Sequence, residues 1–185
     1  LAQALFPGLP KGSGKGKVRL GIVLRKTLEN TDQRVRDGQP VTPAFLFAAL
    51  LWDSVREAAD HHRSEGESDY MAMVKAAEDV IGRQSLRTAI PRRFSAVTRH
   101  IWIMQARFTK TRGKRWKRLL FDQRFRAGYD FLLLRAEEDE SLQPLCEFWT
   151  EAQVGVDVGS RREREPAGRR SRPRRRGRRK PRGAG

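Results

Sequence analysis

From Leu20 to Trp149 the apolar residues of this chain return at spacings of three, four and seven, and no stretch sustains a period-two alternation. A 3.6-residue repeat sets such positions on one side of a helix, whereas a pleated strand needs every second residue. The fold class read from this is all-α, with six to eight helices and short loops. The first helix carries Leu20, Val23, Leu24, Thr27, Leu28 and Val35, and Gly38 in "RDGQP" is the expected left-handed cap that ends it. In "VTPAFLFAALLWDSVREAADHH", Thr42 is the expected N-cap and Pro43 the first helical residue, where a missing N–H costs nothing. The first half of that segment is apolar all round, which predicts one helix at the centre of the core. Tyr70, Met73, Val74, Ala77, Val80 and Ile81 define the next, closing near Ile90 and Pro91. Ser95 is the expected cap of a helix bearing Val97, Ile101, Met104 and Phe108. Trp116, Leu119 and Leu120 mark a short helix. Phe125, Tyr129, Leu132 and Leu133 mark a longer one, and Leu142, Leu145, Phe148 and Trp149 the last.

The charge divides the chain. Its 39 Lys and Arg against 22 acids give a formal net of +17, yet residues 161–185 alone hold 13 Arg or Lys and two Glu. So strong a bias points to nucleic acid or, less often, to an anionic membrane surface. Residues 1–17, with Pro7, Pro10 and glycines among lysines, read as a flexible connector. Residues 18–153 read as a compact multi-helix domain, and residues 154–185 as an Arg-rich tail that cannot bury a core and is expected to be disordered when unbound. The chain opens on Leu1 rather than Met, which leaves room for a preceding segment. Residues 1–17 lack the basic–apolar–cleavage order of a leader. No run approaches the ~20 apolar residues of a membrane span. The single cysteine, Cys146, excludes an intrachain disulfide and a cysteine-based zinc site, so a buried thiol and a reducing, cytoplasmic setting are expected.

Catalytic chemistry finds little support in these residues. "KGSGKGK" in the connector resembles a phosphate-binding loop, but Lys17 is followed by Val18, not Ser or Thr, and no apolar strand precedes it. His61 and His62 are neighbours that a helix turns to different sides, and His100 sits beside Ile101, so no metal site is expected. The acid pairs Glu65/Glu67, Glu67/Asp69, Glu137/Asp139 and Glu138/Glu140 fall in a polar turn or at a helix end, where solvation accounts for them. No catalytic residue and no bound cofactor are assigned to this chain.

The basic residues make a pattern. Lys110, Arg112, Lys114, Arg115, Lys117 and Arg118 follow one another with no acid among them. On a helical wheel at about 100° per residue, Trp116, Leu119 and Leu120 share one face, and Lys114, Arg115, Lys117 and Arg118 the opposite arc. A solvated helix face mixes signs, because like charges one turn apart repel. A wholly cationic arc is relieved by a polyanion, and Arg92, Arg93, Arg124 and Arg126 extend it. Trp116 is expected in the core rather than as a platform for stacked bases.

Four segments then acquire a family resemblance. "NTDQRVRDGQPVTPAFLFAALLW" (residues 30–52), "IPRRFS" (90–95), "RGKRWKRLL" (112–120) and "RFRAGYDFLLLRAE" (124–137) occur in this order. Together with the basic tail they resemble the C-terminal half of the bacterial tRNA nucleotidyltransferase/poly(A) polymerase family, on its polyadenylating side. The resemblance implies an N-terminal nucleotidyltransferase head with an Asp-x-Asp metal site, followed by all-α domains that hold RNA while adenylates are added from ATP with Mg²⁺ to 3′ ends. This sequence contains no Asp-x-Asp, so the head is expected outside it, and ATP and Mg²⁺ belong to the parent enzyme. RNA contacts implied by the resemblance are Arg92 and Arg93, and Arg112, Lys114 and Arg115. The wheel adds Lys117 and Arg118, and proximity in sequence adds Arg124 and Arg126. Two other readings remain at this point: a non-catalytic basic RNA-binding adaptor, and a relative that adds CCA to tRNA.

Overall fold

The computed structural model describes residues 21–38, 40–156 and 158. Among them are seven α-helices and no strand: α1 Ile22–Arg36, α2 Pro43–Leu50, α3 Trp52–Ser64, α4 Asp69–Ser85, α5 Arg92–Phe108, α6 Phe125–Ala136 and α7 Gln143–Ala152. Short 3₁₀ turns lie at Arg115–Arg118 and Glu140–Leu142. The connector before Gly21 and the tail from residue 159 lie outside the described residues.

The α-helical class holds, and so do several local readings. Gly38 has φ of 66°, the left-handed conformation that an L side chain resists. Pro43 opens α2 behind Thr42, although the Thr42 hydroxyl makes no capping bond. Three boundaries differ from the sequence expectation. α4 stops at Ser85, with Leu86 after it, rather than near Ile90 and Pro91. The segment after Thr42 is two helices, parted at Leu51 (φ −102°, ψ 8°). The parting lets the wholly apolar α2 lie against α5 while the amphipathic α3 packs on α4. Ser95 is not a cap. Pro91 already sets extended backbone before α5, and Ser95 sits buried in the first turn with its hydroxyl donating to the Arg92 carbonyl at 3.2 Å.

Two apolar clusters form the core, and α5 and α6 serve both. The first joins α1 to α4 with Ile101, Trp102, Phe131 and Leu134. Its alanines, among them Ala48, Ala49, Ala59, Ala76 and Ala77, are almost fully buried, so small side chains let the helices approach closely. α5 is fixed to α2 by two buried polar bonds: Trp102 Nε1 donates to the Ala48 carbonyl at 3.0 Å, and Thr98 Oγ1 to the Ala44 carbonyl at 2.9 Å. The second cluster gathers Met104, Phe108, Leu119, Leu120, Phe125, Tyr129, Leu132 and Trp149. α5 and α6 cross at Gly128, where a Cβ would stand 2.9 Å from Met104 Sδ. Beside that crossing, Gln105 Nε2 donates to the Gly128 carbonyl at 3.0 Å, and its Oε1 accepts from Arg135 at 3.1 Å. Burial lowers the Arg135 pKa to about 10, and its guanidinium lies 4.8 Å from the Trp52 ring centroid.

Candidate nucleic-acid interface

Residues 109–124 link α5 to α6 and carry the cationic segment. Gly113, at φ of 77°, turns the chain back after α5. The expected short α-helix is a four-residue 3₁₀ turn, Arg115–Arg118. A stretch this short gains too few hydrogen bonds to offset α-helix nucleation. The two faces read from the wheel survive in this tighter form. Leu119 and Leu120 are buried, Trp116 is half-buried, and Arg112, Lys114, Arg115, Lys117 and Arg118 are all exposed. At about three residues per turn, Arg115 and Arg118 project in line.

Two anchors hold the loop. Trp116 packs edge-on against Phe148 and Trp149, with centroids at 5.1 and 6.0 Å, and Trp149 Nε1 donates to the Phe108 carbonyl at the end of α5. Trp116 thus packs inward as expected, at the half-buried edge of the second cluster. The second anchor, Asp122, had no signal in the sequence. His100 Nε2 meets its carboxylate at 3.0 Å, Arg107 meets it at 3.1 Å, and the Arg124 N–H donates to Oδ1 at 3.0 Å. Burial pushes the Asp122 pKa up. The His100 bond, the Arg124 N–H and the charges of His100 and Arg107 outweigh it and hold the carboxyl at about 2, against a usual 3.8.

A carboxylate held low in the folded state adds stability above its unfolded pKa, and loses it as pH falls through the folded value. Asp122 is therefore expected to contribute on the order of 2 kcal/mol above about pH 4, fading towards pH 2. Thermal melts across that interval test this. Asp122→Asn should remove that part of the pH dependence, and an unchanged profile would refute the assignment.

The nine residues singled out from sequence are all exposed. Arg112, Lys114, Arg115, Lys117 and Arg118 share the loop after α5. Arg124 and Arg126 stand at the start of α6. Arg92 and Arg93 lie at the opposite end of α5, which at 1.5 Å per residue is about 25 Å long. Arg126 pairs with Asp130 at 3.0 Å, and the Arg93 guanidinium lies 4.7 Å from the Phe94 ring centroid. Among the described residues no carboxylate forms an ion pair with the charged side-chain groups of Arg92, Arg93, Arg112, Lys114, Arg115, Lys117, Arg118 or Arg124, although the backbone N–H of Arg124 donates to Asp122.

The acids and histidines are engaged elsewhere. His62 bridges Glu65 and Asp79 at 3.3 and 2.8 Å, His61 meets Glu65, and Glu67 pairs with Lys75. Among the described residues no group of three or more His, Cys, Asp or Glu could hold a metal ion, and no helix is long and apolar enough to cross a membrane. Cys146 is buried, and that burial raises its thiol pKa.

Fold and loop together define a helical domain with an uncompensated cationic strip. Residues 65–182 match the family model described as "Polymerase A arginine-rich C-terminus", and the chain belongs to that family. It is 37% identical to Poly(A) polymerase I of Salmonella typhi over 187 residues, which is 95% of this chain and 40% of that protein. It is 38% identical to Poly(A) polymerase I of Escherichia coli O157:H7 over 160 residues, 84% of this chain and 34% of that protein. Against Poly(A) polymerase I of Haemophilus influenzae the identity is 38% over 128 residues, 68% of this chain and 28% of that protein. The chain thus spans at most two-fifths of the curated relatives it matches.

Proposed function

We propose that this chain is the RNA-holding C-terminal portion of a poly(A) polymerase, a nucleotidyltransferase that adds adenylates from ATP to RNA 3′ ends in the cytoplasm. One observation carries the reading: a loop whose Arg112, Lys114, Arg115, Lys117 and Arg118 are exposed without an acid partner, anchored by Trp116 and Asp122, in a member of this family. Phosphate contacts give affinity and register without reading bases, which suits an enzyme that extends many different 3′ ends. The described residues do not fit Mg²⁺, which needs converging oxygen ligands. Nucleotidyl transfer, with ATP and its metal, is therefore assigned to the head, and this chain orients and retains the RNA.

Binding by phosphate neutralisation releases counterions, so affinity must fall steeply with salt. For single-stranded RNA the slope of log K against log[salt] is expected to be about −0.7 for each phosphate neutralised. Anisotropy titrations at several salt concentrations measure it. A flat response would overturn the reading.

A further inference from the structure

A groove of about 720 Å³ opens between α1, α2 and α6. That volume lies within the range of small-ligand sites, roughly 300–1,000 Å³. Phe45, Leu46 and Val97 give it apolar lining. Arg124 and Arg126 line it from the start of α6 and Arg34 from α1. Arg34 Nε is held on the Pro40 carbonyl at 3.2 Å. Asp130, one turn beyond Arg126, also lines the groove. Its carboxyl is pushed up by partial burial, against the charges of Arg126 and of Arg34 on the facing helix. Arg126 Nε engages one carboxylate oxygen, and a carboxylate so engaged still has room to accept further hydrogen bonds. Arg93 precedes Val97 by one turn of α5, which sets both on the same helix face.

This lining matches the parts of a nucleotide: guanidinium groups for a phosphate, an apolar surface for a ring, and an acceptor for an exocyclic amine. A free phosphate or a lipid headgroup would leave the apolar part unused. The groove also continues the cationic loop, because Asp122 fixes both that loop and the backbone of Arg124. We infer that the groove holds one unstacked nucleotide of the RNA strand that runs along the loop. The phosphate lies at Arg124 and Arg126 and the base over Phe45 and Val97, with adenine and cytosine favoured over uracil by Asp130. This rests on the RNA-holding reading of the loop and adds a base subsite to it.

The test uses the full chain, a labelled oligoadenylate, an oligouridylate of equal length, and an abasic ribose-phosphate oligomer of equal charge. The basic tail and loop act on all three alike, so the ratio of affinities reads the groove. Leu133 lines the groove and is 39% exposed, so Leu133→Trp fills it with little demand on the core. Val41→Trp fills it from the loop before α2.

Loss of one stacked base costs roughly tenfold or more in affinity. The natural chain is expected to prefer oligoadenylate over the abasic oligomer by about that factor, with oligouridylate between them. Both variants should lose the preference while binding the abasic oligomer within about twofold of the natural chain. A natural chain without the preference, or variants that keep it, would overturn the inference. Equal binding of oligoadenylate and oligouridylate would overturn the role given to Asp130. If the natural chain bound none of the three in a salt-dependent way, the RNA-holding reading itself would fall.

Discussion

Charge reversal of Lys114 and Arg115 together, each to Glu, is expected to lower affinity for single-stranded RNA by about ten- to a hundredfold near 0.1 M salt. The salt slope should become shallower by about two phosphates' worth. Both side chains are exposed and without acid partners, so the substitution removes attraction and adds repulsion without disturbing packing. The loss should be the same for adenylate, uridylate and mixed sequences, because phosphates carry no base information. Stability should stay level or rise slightly, since like charges crowded into one turn cost a few tenths of a kcal/mol each. Affinity lost with melting temperature retained is the signature of a surface kept for binding at a cost to the fold. If the double variant bound RNA as the natural chain does, the loop would be a solvated surface and nothing more. A loss confined to one sequence would also contradict the phosphate mechanism.

That the loop is cationic outside and apolar inside was legible, because the pattern Lys114-Arg115-Trp116-Lys117-Arg118-Leu119-Leu120 separates the two classes whether the chain turns at 3.6 or at three residues per turn. The helix type was not legible. It depends on Gly113 and on where Asp122 finds its partners, and His100 lies 22 residues before it. The same limit explains Leu51. A run of apolar residues states that a segment is buried, not which neighbours it meets, and α2 and α3 meet different ones. Arg34 and Asp130 drew no attention, since an arginine and an aspartate on two distant amphipathic helices are ordinary surface residues until a groove brings them together. Trp116 was rightly expected to pack inward, because a lone aromatic beside two leucines is core before it is a platform, although it ends half-buried at the edge of the second cluster.

Trp149→Ala is expected to be the most damaging single substitution in the second cluster. Trp149 is fully buried, with ring contacts to Phe108 at 5.1 Å, Phe148 at 5.2 Å, Phe125 at 5.6 Å and Trp116 at 6.0 Å. Removing so large a side chain from such a site costs roughly 3–5 kcal/mol. The Phe108 carbonyl, accepting the indole N–H at 3.1 Å, would lose a buried donor as well. With a urea m-value of about 1–3 kcal/mol per molar, the midpoint should fall by roughly 2 M. Trp149→Phe separates the two contributions. It keeps an aromatic ring but no donor, and should cost about 1–3 kcal/mol, a mixture of the orphaned carbonyl and a smaller ring. Trp116 rests on Trp149, so the alanine variant should also bind RNA more weakly while still folded, its cationic loop no longer held at one end. The loss of affinity should then accompany the loss of stability, unlike the charge reversal, where the two part. If Trp149→Ala melted like the natural chain, the second cluster would not be the anchor of the loop. If it melted early but bound RNA unchanged, Asp122 alone would suffice to hold the cations in place.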